Sequence, residues 1–186
     1  MHRSCPTRSR TTVGRLLSLH AIIVLVACVA ILPTTAEGQA DATVVYLVRH
    51  AERAEDGTSD PVISLPGWDR SRLLADMLQD AGLTHIHTSN YRRTRGTARP
   101  TAEATGIEMR TYDARNLAQI AERLRSTPGR HLVIGHSNTT PQLVELLGGD
   151  GAGEIHELEY DRLYVVTLTD NGASTVLLRF GDPFER

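Results

Sequence analysis

Two patterns of hydrophobic and polar positions alternate along the chain after residue 42. Short apolar runs rich in β-branched residues and bounded by polar ones predict buried strands, and stretches with apolar residues at helical spacing predict amphipathic helices. The predicted strands cover residues 43–49, 85–89, 108–112, 131–135, 163–169 and 175–180. The predicted helices cover residues 66–79, 91–105 and 116–126, and a fourth begins at Thr139 and is closed by Gly148.

The order of these elements predicts the fold class. Strand and helix alternate four times, and two strands then follow that are joined by Asp170-Asn171-Gly172, a hairpin turn sequence. Such alternation is typical of a mostly parallel sheet with helices on both faces. Residues 41–186 are therefore expected to form one α/β domain, a three-layer α/β/α sandwich with an antiparallel edge hairpin.

The first forty residues have a different composition. Residues 1–15 contain four arginines and no acid, residues 16–32 are almost wholly apolar, and small and polar residues lead to Ala40. This is the pattern of a signal peptide, and cleavage after Ala40 is the simplest placement. Two alternatives stay open, namely lipidation at Cys28 and an uncleaved membrane anchor, since 17 apolar residues lie at the lower limit for a span. Each alternative predicts a periplasmic or extracellular domain.

Charge and cysteine content narrow the function classes. Both cysteines, Cys5 and Cys28, lie in the predicted leader, so the domain has no disulfide and no thiol chemistry. The chain contains no lysine, and residues 41–186 carry 16 arginines against 21 acidic residues. This net charge of −5 argues against general nucleic-acid binding, which needs a basic surface.

Three polar segments follow predicted strands directly. They are Arg49-His50-Ala51, Ser89 to Ala98, and Gly135-His136-Ser137. The carboxyl ends of parallel strands meet at one edge of a sheet, where open α/β folds bind ligands. We therefore expect two histidines and several arginines to share one site.

Fixed positive charge around imidazoles favours phosphoryl chemistry. Arginines repel metal cations and lower imidazole pKa values, whereas their guanidinium groups match phosphate oxygens, and a neutral imidazole can attack phosphorus. A rival metal site would use His85 and His87, which share one face of a strand. No carboxylate or cysteine partner is evident near them, so a structural role is favoured.

The three segments resemble the histidine phosphatase superfamily, also called phosphoglycerate-mutase-like. That family opens with Arg-His-Gly or Arg-His-Ala and ends with Gly-His-Gly or Gly-His-Ser. Its middle motif, Ser-Pro-Leu-x-Arg-Ala-x-Gln-Thr-Ala, aligns on residues 89–98 and places Arg93 rather than Arg92 at the family arginine. Asn90 and Tyr91 replace Pro-Leu, and Gly96 replaces Gln.

The resemblance implies roles for these residues. His50 would attack phosphorus and become phosphohistidine, while Arg49, Arg93 and His136 hold the phosphoryl oxygens. Ser137, at the start of the following helix, would add a phosphate contact, and Arg92 is an auxiliary phosphate ligand candidate. No metal ion or organic cofactor is expected.

A carboxylic acid should protonate the leaving oxygen. Larger family members use a glutamate just past the third strand, where this chain has Asp113. Asp113 is therefore the first candidate for a catalytic acid, and Glu52 and Asp60 are the next.

The expected function is that of an exported phosphatase acting on a phosphorylated small molecule or a phosphoprotein, with membrane contact only through the leader if it is uncleaved or lipidated. The segment between Thr105 and Asn116 is too short for a lid, which disfavours a mutase. The short architecture with Arg-His-Ala resembles the small phosphohistidine phosphatases, which act on cytoplasmic signalling proteins, and the leader argues against such substrates here. The alternative is a catalytically silent phosphate-binding domain of the same fold.

Overall fold

The computed structural model describes residues 42–185, so the predicted leader, with its cleavage and lipidation alternatives, lies outside the described residues. Ten elements follow one another along this range. The strands are β1 (Thr43–Arg49), β2 (His85–Ser89), β3 (Met109–Tyr112), β4 (Arg130–Gly135), β5 (Arg162–Thr169) and β6 (Gly172–Arg179). The helices are α1 (Leu65–Leu78), α2 (Arg92–Thr105), α3 (Leu117–Ser126) and α4 (Thr139–Leu146). Within residues 42–185, no helix is both long enough and apolar enough to cross a membrane.

The six strands form one sheet in the order β3-β2-β4-β1-β5-β6. The strands β3, β2, β4 and β1 are parallel, whereas β5 and β6 are antiparallel to their neighbours. The predicted α/β fold, a mostly parallel sheet with an antiparallel edge pair, is confirmed. Because β1 and β4 are central, the loops that follow them meet in the middle of the carboxyl edge.

Each face of the sheet has its own hydrophobic core. One core joins Ile120 and Leu124 of α3 and Leu143 of α4 to the sheet. The other joins Leu74 of α1 and Ala98 of α2 to the opposite face. The helices thus form the two outer layers that the alternation of elements predicts.

The edge hairpin is tighter than the sequence pattern predicts. Gly172 pairs with Thr169, so only Asp170 and Asn171 lie in the turn, and β6 begins at Gly172 rather than at Thr175. Gly172 has a φ of 126°, which glycine adopts without a steric penalty. Residues 172–174 are the small residues Gly, Ala and Ser on a half-exposed edge strand, so a hydrophobicity pattern does not reveal this part of β6.

Three imidazoles stack at the opposite, amino edge of the sheet. His85 and His131 have ring centroids 4.5 Å apart, and His87 Nε2 lies 3.1 Å from His131 Nδ1. His131 Nε2 is 2.9 Å from the carbonyl oxygen of Thr127, which can only accept a proton. His131 therefore donates from Nε2, and His87 must donate to His131. The three rings are stacked nearly parallel, and His87 and His131 are also hydrogen-bonded, an arrangement that fits the structural role favoured for His85 and His87.

We expect this stack to make the fold sensitive to acid. Burial lowers the pKa of His87 to about 3, and coulombic repulsion from His131, His85, Arg123 and Arg110 adds to the lowering. The unfolded chain takes up a proton near the ordinary pKa of 6.5, so the native state loses stability as pH falls from about 6.5 towards 3. In a His87→Gln variant the free energy of unfolding should fall less steeply over this pH range. Its slope should be smaller than that of the wild type by about 1.4 kcal/mol per pH unit. Urea unfolding at several pH values measures this slope, and identical slopes for the two proteins would refute the assignment.

Candidate active site

The carboxyl edge of the sheet opens into a cavity of about 480 Å³. The segments that follow β1, β2 and β4 all reach it, as the positions of the three polar segments predict. Its lining includes the predicted site residues Arg49, His50, Arg93, His136 and Ser137.

His50 is 4 % exposed, and its ring is held in one tautomer. His50 Nδ1 lies 2.8 Å from the carbonyl oxygen of Ala51, so Nδ1 carries the proton and Nε2 keeps its lone pair. The Ala51 N–H in turn donates to Thr97 Oγ1 at 2.8 Å, and Thr97 donates to the carbonyl oxygen of Arg93. These bonds connect His50, which directly follows β1, to α2, the helix that carries Arg93.

The electrostatics keep the His50 imidazole neutral. Burial lowers the pKa of His50 to about 3 against the opposing effect of the Ala51 carbonyl, and coulombic repulsion from Arg49, His136 and Arg93 adds to the lowering. The same causes, burial followed by Arg93 and Arg49, lower the pKa of His136 to about 4. Both rings are therefore neutral at pH 7, and a neutral imidazole is the form that attacks phosphorus.

His136 faces His50 across the cavity, with the two ring centroids 5.5 Å apart. Its Nε2 lies 2.8 Å from Ser89 Oγ, and its Nδ1 lies 3.4 Å from Arg93 NH2. Its backbone N–H donates to Thr139 Oγ1 at 2.9 Å. The second histidine is thus fixed by β2, α2 and the first turn of α4.

Arg49 is buried beneath the loop that precedes β5. Its NH1 donates to the carbonyl oxygens of His156 at 2.8 Å and Glu159 at 3.1 Å, and its guanidinium lies 4.2 Å from the ring centre of Tyr160. Its Nε is buried without a hydrogen-bond partner among the described residues. The loop therefore orients Arg49 and leaves part of the guanidinium available to an anion.

That loop is held by a buried charge network. Glu159 and Arg162 are 2 % and 4 % exposed and form two contacts, from Nε to Oε1 at 2.7 Å and from NH2 to Oε2 at 3.0 Å. Arg162 also donates to the carbonyl oxygens of Ala152, Gly153 and Glu154. The position of Arg49 thus depends on an ion pair outside the cavity.

Two predicted residues do not reach the cavity. Arg92 is exposed, and only its backbone N–H is engaged, by Asp60 at 3.0 Å. Asp113 is exposed and accepts from the N–H and the side chain of Arg115, and these bonds lower its pKa. The structure therefore gives no support to Arg92 as an auxiliary ligand or to Asp113 as the proton donor.

The two alternative acids are also engaged by arginines. Glu52 Oε1 accepts from Arg70 Nε at 2.9 Å. Arg70 NH1 also donates to the carbonyl oxygen of Phe180, so this arginine holds the C-terminal segment. Asp60 accepts from Arg93 NH1 at 3.4 Å and so orients Arg93. Neither carboxylate lines the 480 Å³ cavity.

The sequence interpretation missed several residues of the cavity wall. They are Arg53, Tyr91, Arg115 and Glu157. Glu157 is the sole carboxylate in that lining, and its Oε1 lies 2.5 Å from Arg53 NH2. Tyr91 stands where the family motif has leucine, and Arg93 lies over its ring at 4.4 Å. The position of Tyr91 within residues 89–98 was a usable signal, whereas Glu157 lies in a loop that no pattern places.

A second cavity of about 460 Å³ adjoins the first and shares Ser137, Asn138 and Ile155 with it. Its remaining wall includes the carboxylates Glu145 and Glu154. The first cavity is rich in arginine, and the second has no basic residue in its lining. The two together can accommodate an anionic group joined to a larger, uncharged or cationic part.

Comparison with known proteins gives a family match. The family model described as histidine phosphatase superfamily (branch 1) matches residues 45–114. "Probable phosphoglycerate mutase GpmB" of Serratia proteamaculans (strain 568) is 42% identical over 71 residues, which are 35% of this chain and 33% of that protein. The protein of the same name from Escherichia coli O1:K1 / APEC is 38% identical over 77 residues, 38% of this chain and 35% of that protein. The chain thus spans about a third of the length of the curated relatives it matches.

Solved structures share this fold over about three quarters of the chain. The protein histidine phosphatase SixA complexed with tungstate has a TM-score of 0.61 and 19% identity, covering 73% of this chain and 96% of that one. A mycobacterial glucosyl-3-phosphoglycerate phosphatase has a TM-score of 0.58 and 14% identity, covering 75% of this chain and 98% of that one. The chain is thus similar to the histidine phosphatase superfamily over residues 45–114, and it shares its fold with these solved structures.

Proposed function

We propose that this protein is a phosphatase that hydrolyses a phosphomonoester or a phosphoprotein through a phosphohistidine on His50, without a metal ion. One observation carries the proposal. The neutral, buried imidazole of His50 keeps its Nε2 lone pair free in a cavity that also contains Arg49, Arg93 and His136. The match of residues 45–114 to the histidine phosphatase superfamily model supports phosphatase-type chemistry.

The reaction follows from these positions in two steps. His50 Nε2 forms a bond to phosphorus while the bond from phosphorus to the leaving oxygen breaks. Water then attacks the phosphohistidine, the P–N bond breaks, and inorganic phosphate leaves. Arg49 and Arg93 neutralise the charge that develops on the phosphoryl oxygens, which is the usual way to stabilise such a transition state.

Glu157 is the best-placed proton donor for the leaving oxygen, because it is the carboxylate in the cavity wall. Glu157 also pairs with an arginine, Arg53, as the other candidate carboxylates do, so its place in the cavity wall is what distinguishes it from them. An acid at this position is needed for alkyl esters, whose leaving oxygens are strongly basic, and is dispensable for p-nitrophenyl phosphate.

Replacing Glu157 by glutamine is therefore expected to lower turnover of an alkyl phosphate about a hundredfold and that of p-nitrophenyl phosphate much less. Asp113→Asn is the comparison variant, since Asp113 is exposed and absent from the cavity wall, although its partner Arg115 belongs to that wall. Steady-state kinetics with both esters measure the difference. Equal losses for the two esters, or a loss in the Asp113 variant alone, would exclude Glu157 as the acid.

The proposal includes export, on the strength of the signal-peptide pattern in residues 1–40. For the substrate, the neighbour named a protein histidine phosphatase and the neighbour named a sugar-phosphoglycerate phosphatase favour hydrolysis of phosphorylated compounds. The relatives named phosphoglycerate mutase leave phosphoryl transfer within a substrate as the second activity to assay. The short connection between α2 and α3 favours hydrolysis, because a mutase has to retain its intermediate.

Trapping the covalent intermediate tests the proposal. The purified protein is mixed with a ³²P-labelled phosphomonoester, quenched in alkali, which preserves phosphohistidine, and analysed for a labelled peptide that contains His50. Label on His50 together with release of phosphate in the presence of a chelator supports the proposal. Phosphate binding without label or release indicates the silent binding domain, and loss of activity with the chelator indicates metal-dependent hydrolysis.

A further inference from the structure

Ser89 and Thr94 form a hydrogen-bonded chain behind His136. Ser89, the last residue of β2, and Thr94, in the first turn of α2, are both 0 % exposed. Ser89 Oγ lies 2.8 Å from His136 Nε2 and 3.1 Å from Thr94 Oγ1. Thr94 Oγ1 lies 2.8 Å from the carbonyl oxygen of Ser89 and 2.9 Å from that of Tyr91.

The direction of this chain is fixed at its far end. The two carbonyl oxygens can only accept, so the Thr94 hydroxyl donates its proton to them. The oxygen of Thr94 is then free to accept from Ser89, and the oxygen of Ser89 is free to accept from His136. Each hydroxyl donates once and accepts once, so every buried polar atom of the chain is satisfied.

The other side of the imidazole gives the same direction independently. Arg93 NH2 lies 3.4 Å from His136 Nδ1, and a guanidinium group can only donate. A proton on Nδ1 would therefore face a second donor. The opposite tautomer would also leave Nε2 as an acceptor and require Ser89 to turn its proton away from Thr94.

We propose that Ser89, held by Thr94, is a positioning residue that fixes the Nε2–H tautomer of His136 and keeps its Nδ1 directed at the phosphoryl group. The effect on turnover rests on the phosphatase function proposed above, whereas the tautomer is a property of the ligand-free protein. In this arrangement Nδ1 is the atom that faces Arg93 and the anion. A proton gained at Nδ1 as phosphate binds makes the ring a donor on both sides, to Ser89 and to a phosphoryl oxygen.

The first test reads the tautomer directly. Nitrogen-15 NMR of the histidine rings distinguishes a protonated from an unprotonated ring nitrogen, and at neutral pH His136 should carry its proton on Nε2. In Ser89→Ala the Nε2–H loses its acceptor, and the His136 resonances should shift towards a mixture of the two tautomers. A wild-type protein with the proton on Nδ1 overturns the proposal, whatever the enzyme activity is.

The second test measures kcat and KM in matched variants. Ser89→Ala and Thr94→Val should lower kcat about 10- to 100-fold with little change in KM, as loss of a group that orients a site residue does. Thr94→Ser retains the hydroxyl and should restore most of the rate. Thr88→Val is the control, because Thr88 is equally buried on the same strand and its hydroxyl has no partner among the described residues.

The outcomes separate the two proposals. Unchanged kcat in Ser89→Ala and Thr94→Val, with an unchanged His136 spectrum, overturns the positioning role. A wild-type protein without phosphatase activity but with the Nε2–H tautomer overturns the proposed function and leaves the tautomer assignment intact. An equal loss in Thr88→Val shows that the buried strand end, rather than the hydroxyl chain, controls the rate, and this also overturns the role of Ser89.

Discussion

His50→Ala is expected to lower the hydrolysis of phosphate esters at least about a thousandfold and to abolish the labelled phosphoenzyme. The variant removes His50 Nε2, the only atom of the protein that bonds to phosphorus in the proposed reaction. The Ala51 carbonyl holds that atom in the nucleophilic tautomer, and the low pKa of about 3 keeps it unprotonated at pH 7. The variant should still bind phosphate, because Arg49 and Arg93 have their own anchors in the His156 carbonyl and Asp60.

His85→Ala is the matched control for this experiment. It also removes a histidine from the sheet, but at the amino end of β2, away from the cavity. It should keep its activity while losing some stability through the imidazole stack. Wild-type turnover in the His50 variant, or label on a different residue, would show that the proposed nucleophile is wrong.

The acid limb of the pH dependence gives a second view of the same residue. The pKa of about 3 for His50 means that the free enzyme keeps its nucleophile well below the ordinary imidazole value of 6.5. Titration of the His50 ring in the ligand-free protein should therefore show no protonation near pH 6.5. A midpoint near 6.5 would mean that burial does not control this imidazole.

The fold was predictable because its central strands are buried, apolar runs and because polar residues and turn sequences mark where the elements end. The central strands β1 and β4 are apolar on both faces, and their predicted bounds agree with the structure to within one residue. The start of β6 was not predictable from apolar pattern, since its first three residues are Gly, Ala and Ser on a half-exposed edge. Pairing with β5 extends this strand, and such pairing leaves no mark in local sequence.

The residues of the site also fall into those that could be predicted from the sequence and those that could not. His50, Arg93 and His136 were predictable because each follows a strand closely, and the parallel topology brings strand ends together. Glu157 was not predictable, because it lies in the loop between α4 and β5, whose path depends on contacts distant in sequence. The contact from Arg53 to Glu157 spans 104 residues. Asp113 follows β3 at the same edge of the sheet, but its exposed carboxylate accepts from Arg115 and is absent from the cavity wall.

The second large expected effect is the loss of stability on replacing Glu159, which holds the loop between α4 and β5. Its Oε1 accepts from Arg162 Nε at 2.7 Å and Arg179 NH1 at 2.6 Å, and its Oε2 accepts from Arg162 NH2 at 3.0 Å. Burial alone would raise the pKa of Glu159, but the hydrogen bonds from Arg162 and Arg179 outweigh it and lower the pKa to about 2. The Glu159 carboxylate of the folded protein is therefore ionised at neutral and mildly acidic pH.

Glu159→Gln keeps the shape of the side chain and removes the charge that balances Arg162, which is 4 % exposed. Removing one partner of a buried ion pair leaves an uncompensated buried charge, so we expect the free energy of unfolding to fall by about 3–5 kcal/mol. Glu103→Gln is the control, because Glu103 pairs with Arg99 in solvent, and a change below about 1 kcal/mol is expected there. Urea unfolding at pH 7 measures both values.

The sign of the pH dependence makes the Glu159 test specific. Because the folded pKa of about 2 lies below the unfolded value of 4.5, this carboxylate stabilises the fold above pH 4.5, and the contribution disappears as pH falls towards 2. The stability difference between wild type and Glu159→Gln should shrink over that interval. The variant should also raise KM for phosphate esters, since the Glu159 and His156 carbonyls that orient Arg49 belong to the loop the ion pair holds. A destabilised variant with wild-type KM would show that Arg49 is positioned by β1 and Tyr160 alone.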